Sequence, residues 1–323
     1  MYMKVSVCLT VYNEEKSIGN LLHFLLAQTK KAEEIVIVDG GSTDRTVEII
    51  RHWQKKDKRI KLISEKGNVA HGRNTAVELA ENNIIAMTDA GCIPETDWLE
   101  KITQPLKFKH VGMVAGFYSM PHSNPMQEAM NVYLGVPQER FDTNNFMPST
   151  RSVAFRKEVW EEVGGFSEKL DKAGEDTLFF YQVVKTGTRI MRVKEALVSW
   201  EETAKMTFGD SINKFRQYAK GDAQSGIWWH PAKRGTTHNI KISAIFARYL
   251  LGLVLIISSL FKPTLFTIIL VLITLYLFWS IWKWRDVIKN WQARLWLPVI
   301  QLSSDFAVMV GFIEGLASKG LVL

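Results

Sequence analysis

Two acidic sites carry the residue types from which chemistry can be built. Asp89 closes the apolar run Ile84-Ile85-Ala86-Met87-Thr88 and sits in the stretch TDAGCIPETDWL. A carboxylate leaving a buried strand for a loop stands where open α/β sheets bind ligands, beyond the carboxyl ends of their strands. The second site, Gly174-Glu175-Asp176, lies far downstream. A carboxylate there can take a proton from a reacting hydroxyl. An acidic pair at a helix start is also what the helix dipole favours, and both readings can hold together.

The elements that must position these residues follow from the hydrophobic pattern. Residues 4–11 (KVSVCLTV) read as a buried strand, followed by a helix with Ile18, Leu21, Leu22, Leu25 and Leu26 on one face. Ile35-Val36-Ile37-Val38 is a continuous apolar run ending at Asp39-Gly40-Gly41, as in a parallel strand covered on both faces. Ser42 or Thr43 is placed to cap the next helix, with Asp44 supporting its start. Residues 60–63 and 84–88 complete four strands, and residues 71–81 read as a helix between them. Glu95 and Asp97 read as caps of a helix starting near Trp98. Strands alternating with helices imply an α/β fold with a mostly parallel sheet and right-handed crossovers. Residues 112–116 and 152–155 read as further strands, and 157–163 and 177–186 as helices. Pro121, Pro125, Pro137 and Pro148 punctuate a long stretch expected to be irregular, a lid on the acceptor side.

The composition changes near Ile242. Residues 242–261, 265–282 and 295–316 are each close to the roughly 20 apolar residues of a spanning helix. Seven of the eleven Trp fall between Trp228 and Trp296, and Trp favours membrane–water boundaries. Lys233, Arg234 and Lys241 precede the first segment; Lys283, Arg285, Lys289 and Arg294 separate the second from the third. The positive-inside rule puts both loops in the cytosol and the Lys262-Pro263 turn outside. A third span would also leave the C-terminus outside, but Asp305 and Glu314 interrupt it. Asp305 is expected to pair with Arg248, to contact a lipid headgroup, or to pack against a buried partner. Residues 207–229 carry Phe208, Ile212, Phe215 and Ala219 at helical spacing, the pattern of an interfacial amphipathic helix or of a core-packed one.

The formal net charge of +7 fits anionic lipid or a phosphorylated substrate. No basic helix or aromatic–basic module points to nucleic acid. Cys8 and Cys92 form no disulfide framework or zinc spacing. The start, MYMKVSVCLTVYNEE, lacks the layout of a signal peptide, so the first domain is expected in the cytosol.

Five stretches in order, VSVCLTVYNEEKSI, EIVIVDGGSTDRTVEI, GNVAHGRNTAVELA, TDAGCIPETDWL and SVAFRKEVWEEVGGFSEKLDKAGEDTLF, resemble the signatures of family 2 glycosyltransferases with the GT-A fold. The resemblance covers roughly residues 4–205 and implies a catalytic domain over 1–205. Its nucleotide-sugar half would be 1–118 and its acceptor half 119–205. An interfacial linker (206–240) and a membrane region (241–323) with two to three spans would follow. Tyr12, Glu14 and Asp39 then fall in the nucleoside pocket, and Arg73 beside the diphosphate. Asp-Gly-Gly is equally good turn sequence, and Arg73 alone reads as a surface residue. Asp89 matches the first acid of the Asp-x-Asp motif that holds a divalent cation, Mg²⁺ or Mn²⁺, against the phosphates. Gly91 stands where the second acid belongs, so one donor residue is lost, although Mg²⁺ needs few protein ligands. Asp176 matches the family's general base, with Glu175 beside it.

The function implied is inverting transfer from a nucleotide-diphosphate sugar to a lipid-linked or membrane-proximal acceptor at the cell membrane. The family's Gln-x-x-Arg-Trp motif of processive synthases is matched around 213–217 only by Arg216, which favours one or a few additions. Two alternatives stay open: a polyprenyl-phosphate sugar synthase, and a catalytically silent nucleotide-binding scaffold at the membrane.

Overall fold

The computed structural model describes residues 3–170, 173–231, 233 and 235–319, with the side chain of Lys319 left aside. Arg234, used above for orientation, and Asp171-Lys172 of the fifth motif lie outside the described residues. The chain divides into two compact units: residues 1–121 with 141–202, and residues 122–140 with 203–323.

The first unit is built on β1 (Ser6–Val11), α1 (Ile18–Ala27), β2 (Glu34–Asp39), α2 (Thr46–Lys56), β3 (Ile60–Ser64), α3 (Val69–Leu79) and β4 (Ile84–Met87). Then come β5 (Cys92–Pro94), α4 (Trp98–Thr103) and β6 (Met113–Ser119). Next in chain order is α5 (Pro125–Leu134), which belongs to the second unit. The first unit resumes with β7 (Val153–Arg156), α6 (Lys157–Val163), α7 (Glu175–Lys185) and β8 (Ile190–Trp200). The strands form one sheet in the order β3-β2-β1-β4-β7-β6-β8-β5. β3, β2, β1 and β4 are parallel neighbours, and β7 is antiparallel to both β4 and β6. β8 runs parallel to β6, and β5 antiparallel to β8.

This order decides which residues meet. The ends of β1, β2, β4 and β8 and the beginning of β7 all lie along one edge of the sheet. β1 and β2 are buried on both faces, which explains their unbroken apolar sequence. Cys8, Val36, Met87, Phe155 and Phe179 sit in the core beneath that edge.

Some elements differ from expectation. α2 begins at Thr46 rather than at Ser42 or Thr43, because Ser42 Oγ is taken by the Asn13 N–H at 2.8 Å. Asp44 does support the helix start, accepting from the Thr46 N–H at 3.0 Å. α3 starts at Val69, just after Asn68, whose side chain accepts the His71 N–H as the cap. Asp97 takes the cap position of α4, but its carboxylate pairs with Lys101 instead of a backbone N–H. The stretch expected to be irregular contains α5: Asn124 caps it and Pro125 occupies its first turn, where a missing N–H costs nothing. β8 escaped the pattern because its first half, Ile190–Glu195, buries no residue and alternation begins only at Ala196.

The second unit adds α8 (Phe208–Ser225), α9 (His238–Ser259), α10 (Thr264–Trp282) and α11 (Trp291–Lys319) to α5. α9, α10 and α11 are long and apolar enough to cross a membrane. α8 opens with a reciprocal capping box between Thr207 and Asp210. One face of α8 packs directly on α11: a Cβ on Gly311 would lie 2.0 Å from the Arg216 carbonyl, and one on Gly315 2.4 Å from that of Lys220. Glu314 of α11 pairs with Arg216 of α8. Asp305, 1% exposed, accepts from Arg248 at 2.7 Å, Tyr249 at 3.1 Å, Gln301 at 2.9 Å and Tyr276. Both acids that interrupt the third apolar segment are therefore paired.

Candidate active site

Arg73 is the hub at the sheet edge. It reaches there because Gly72 lets α3 press on β1: a Cβ at position 72 would stand 2.2 Å from Thr10 Oγ1. Arg73 Nη1 pairs with Glu175, and Nη2 donates to Asp89 Oδ1 at 3.1 Å and to Thr150 Oγ1 at 2.9 Å. Thr150 Oγ1 lies 3.4 Å from the other oxygen of Asp89. The two acidic sites, 86 positions apart in sequence, are thus joined through one guanidinium. Burial disfavours the Arg73 charge, but Asp89, Glu175 and Asp176 outweigh it and hold the pKa above its ordinary value. The bland reading of Arg73 as a surface residue fails: it is 6% exposed and committed to carboxylates.

Asp176 follows Gly174, whose φ of +90° turns the chain into α7. One Asp176 oxygen accepts the Thr177 N–H at 2.7 Å. The side chain is half-buried. Desolvation, then the Glu175 charge, push its pKa up to about 6, against the opposing pull of Arg73 and Arg151. That moves a carboxylate toward the range useful for a general base at neutral pH. Glu175 is 5% exposed, and its Oε2 has no hydrogen-bond partner among the described residues.

The expected nucleoside residues lie on the β1–β2 side. Tyr12 is 61% exposed just past β1. Asp39 ends β2 and is 2% exposed; its carboxylate accepts the Ser42 N–H at 3.1 Å and the Gly41 N–H at 3.3 Å. The turn reading of Asp39 therefore holds, with lone pairs to spare for a further donor. The two loops are stitched together by Asn13 Oδ1, which accepts the Thr43 N–H at 2.8 Å. Asn13 itself sits at φ +57°, the left-handed region that Asn tolerates. Glu14 is half-buried, and desolvation raises its pKa, with smaller contributions from the charges of Glu202, Asp89 and Asp44.

Four residues at this edge were not foreseen. Thr150 and Arg151 arrive because β7 is antiparallel, which brings its beginning to the edge where the parallel strands end. Arg151 lies 3.8 Å over the Trp200 ring and 5.1 Å from that of Tyr118. Trp200 and Glu202 follow the end of β8, the strand that sequence periodicity did not reveal. Glu202 accepts from Trp200 Nε1 at 3.1 Å, and a Cβ built on Gly91 would stand 4.0 Å from the Glu202 Cβ. A carboxylate from β8 thus stands beside the position where the Asp-x-Asp motif lacks its second acid. Asp89, 32% exposed, and Glu202 offer the oxygen donors a hard divalent cation takes, with phosphate and water supplying the rest. No group of three or more His, Cys, Asp or Glu forms a self-sufficient metal site among the described residues. Cys8 and Cys92 are buried, and desolvation raises both thiols well above the ordinary value, which leaves them chemically inert.

Comparison with known proteins fits this edge. A profile described as "Glycosyl transferase family 2" matches residues 6–166, and one described as "Glycosyl transferase family group 2" matches 136–281. Glycosyltransferase AglE of Haloferax volcanii is 29% identical over 178 residues, 53% of this chain and 58% of that protein. The uncharacterized glycosyltransferase EpsJ of Bacillus subtilis is 24% identical over 209 residues, 61% of each. The chain thus spans about three-fifths of the length of these relatives. Among solved structures, the mannosyltransferase PcManGT of Pyrobaculum calidifontis, in complex with GDP-Man and Mn²⁺, superposes with a TM-score of 0.58 at 20% identity. The match covers 99% of this chain and 88% of that one. That likeness extends the GT-A fold to the present sheet. Profiles that together run from residue 6 to 281, named relatives and a shared fold all agree: the chain belongs to glycosyltransferase family 2.

Proposed function

We propose that the protein is an inverting, non-processive glycosyltransferase that moves a sugar from a nucleotide-diphosphate donor onto a lipid-linked or membrane-proximal acceptor. The observation that carries this reading is the Arg73 bridge, which ties Asp89 to the Glu175-Asp176 pair across one sheet edge. Relatives named glycosyltransferases, and a structural neighbour holding GDP-Man and Mn²⁺, support a nucleotide-sugar donor.

Tyr12, Glu14 and Asp39 line the donor side, where the nucleoside binds. Asp176 takes the proton of the acceptor hydroxyl as its oxygen bonds to the anomeric carbon. The bond from that carbon to the diphosphate breaks on the opposite face, so the centre inverts and the nucleoside diphosphate departs. Arg73 keeps Glu175 and Asp89 in register through three of its five N–H donors, beside the place where the diphosphate binds. A divalent cation, Mg²⁺ or Mn²⁺, when bound, would be held by Asp89 and Glu202 and would supply Lewis-acid stabilisation of the leaving group. The apolar helices of the second unit hold the enzyme at the cell membrane with the catalytic unit in the cytosol, as the Lys and Arg flanking α9 and α10 favour.

Membranes carrying the protein, incubated with a panel of radiolabelled nucleotide sugars with and without Mg²⁺ or Mn²⁺, test the proposal. Label that becomes lipid-extractable with one donor supports it. Donor hydrolysis alone, or binding with no turnover, overturns it.

A further inference from the structure

The sequence offers three apolar segments as spans, but α11 is built differently from α9 and α10. Only 6% of the apolar stretch of α9 and 11% of that of α10 is buried, against 44% for α11. On α11 the exposed residues form one stripe at helical spacing: Leu295, Val299, Leu302, Phe306, Val310 and Ile313. The opposite face is covered by α5 and α8. Tyr133 of α5 hydrogen-bonds Gln301 at 3.2 Å, and Gly311 and Gly315 seat α8 along the second half of α11.

α8 could not follow α11 through a bilayer cheaply. It carries Asp210, Lys214, Arg216, Lys220 and Asp222, and the Arg216 side chain remains 50% exposed in its pair with Glu314. Charged side chains are strongly disfavoured at the centre of a spanning helix. The polar residues of α11 itself, Arg294, Gln301, Asp305 and Glu314, are spread along most of its length. In a span they would occupy every depth; in a helix lying flat they share one.

The contacts between α11 and the other two helices place it at one end of them. They involve Ile242 to Tyr249 at the start of α9 and Tyr276 to Lys283 at the end of α10. Beyond that base, Leu250 is 64% and Ile273 50% exposed. Trp291 at one end of α11, and Trp228 packed edge-on against Phe312 near the other, are exposed aromatic anchors of the kind found at membrane boundaries.

We infer that α11 lies in the plane of the membrane surface, across the base of a two-helix hairpin formed by α9 and α10. The occupant of its apolar stripe is the lipid of the leaflet that the hairpin enters. The chain then crosses the bilayer twice, and Lys319 ends on the same side as α8. Asp305 is the pin of this arrangement, taking donors from α9, α10 and α11 at the crossing. The inference rests on α9 and α10 being embedded, and not on the sugar-transfer chemistry.

Single cysteines test it, since the native Cys8 and Cys92 are buried. Lys289 and Lys262 are exposed, and Ser318 is half-buried on a face of α11 away from the apolar stripe. Labelled with a membrane-impermeant maleimide in sealed vesicles, Lys289→Cys and Ser318→Cys should react from one side and Lys262→Cys from the other. Spin labels at Val299→Cys, Phe306→Cys and Ile313→Cys should report the same depth within one helical turn, about 5 Å. Reaction of Ser318→Cys on the side of Lys262→Cys, or depths that progress by roughly 20 Å from 299 to 313, would overturn the inference. Neither readout involves turnover, so failure here is separable from failure of the proposed activity.

Discussion

Arg73 and Glu175 form an ion pair in which each side chain is only 7% exposed, and the same guanidinium reaches Asp89 at 3.1 Å. One cation therefore compensates acids from α7 and from the end of β4. Removing it strands buried negative charge. Arg73→Met should cost about 3–5 kcal/mol of stability, the range for breaking a buried pair, and should abolish transfer. Arg73→Lys keeps the charge but not the fork, so it should fold better than Arg73→Met while remaining poorly active. Thermal unfolding and turnover of the two variants check this ordering.

The Asp176 carboxyl is pushed up to about 6 by desolvation first and by the Glu175 charge second. As the proposed base, Asp176 acts in its deprotonated form. Turnover should therefore climb as pH rises through about 6, well above the ordinary carboxylate range. The same raised value makes ionisation oppose folding between the unfolded pKa and about 6, so stability falls as pH rises across that window. Glu175→Gln removes a neighbouring negative charge and should move the acid limb of kcat to lower pH. An acid limb that stays in place, or moves up, contradicts the assignment.

Much of this site was legible in the sequence because strand ends are. Asp39 and Asp89 each close an apolar run, and a parallel sheet brings such ends to one edge. Glu175-Asp176 was legible as an acidic pair at a helix start. Thr150 and Arg151 were not, because their place depends on β7 running antiparallel, which periodicity does not encode. Glu202 was hidden behind β8, whose first half, Ile190–Glu195, has no buried residue, so that only Ala196, Val198 and Trp200 alternate. Arg73 was found, but its partners were not: spacing put it near the site without saying that Glu175, Asp89 and Thr150 would share it. Of the three readings of Asp305, pairing with Arg248 is the one the structure shows. Gln301, four residues before Asp305 on α11, was within reach of helical spacing; Tyr249 and Tyr276 come from two other helices and carry no local signal.

His71 lies 3.0 Å from Glu65 and 3.1 Å from Glu168. The hydrogen bond to Glu65 is the largest cause of a raised pKa, with Glu168 adding to it. A raised histidine stabilises the fold fully below its unfolded pKa and loses that contribution as pH rises through the folded one. The segment around Glu168, tied also by Asn68 and Asn74, should loosen on the alkaline side. Hydrogen exchange of residues 166–170 at rising pH should show this, and His71→Gln should remove the pH dependence.

Gly72 has no room for a side chain against Thr10. Gly72→Ala should push α3 away from β1 and cost about 1–3 kcal/mol as overpacking. Because Arg73 is the next residue, turnover should fall as well. Thr10→Ala in the same chain should recover part of both losses. A Gly72→Ala variant with normal stability and turnover would show that α3 does not need this close approach.

Asp176→Asn gives the sharpest readout. Nucleoside diphosphate affinity, measured by calorimetry with Mn²⁺ present, should match the wild type, while sugar transfer falls by a factor on the order of 10²–10⁴. Transfer at the wild-type rate in that variant would remove Asp176 as the base. It would point instead to an acceptor that needs no deprotonation, such as a lipid phosphate.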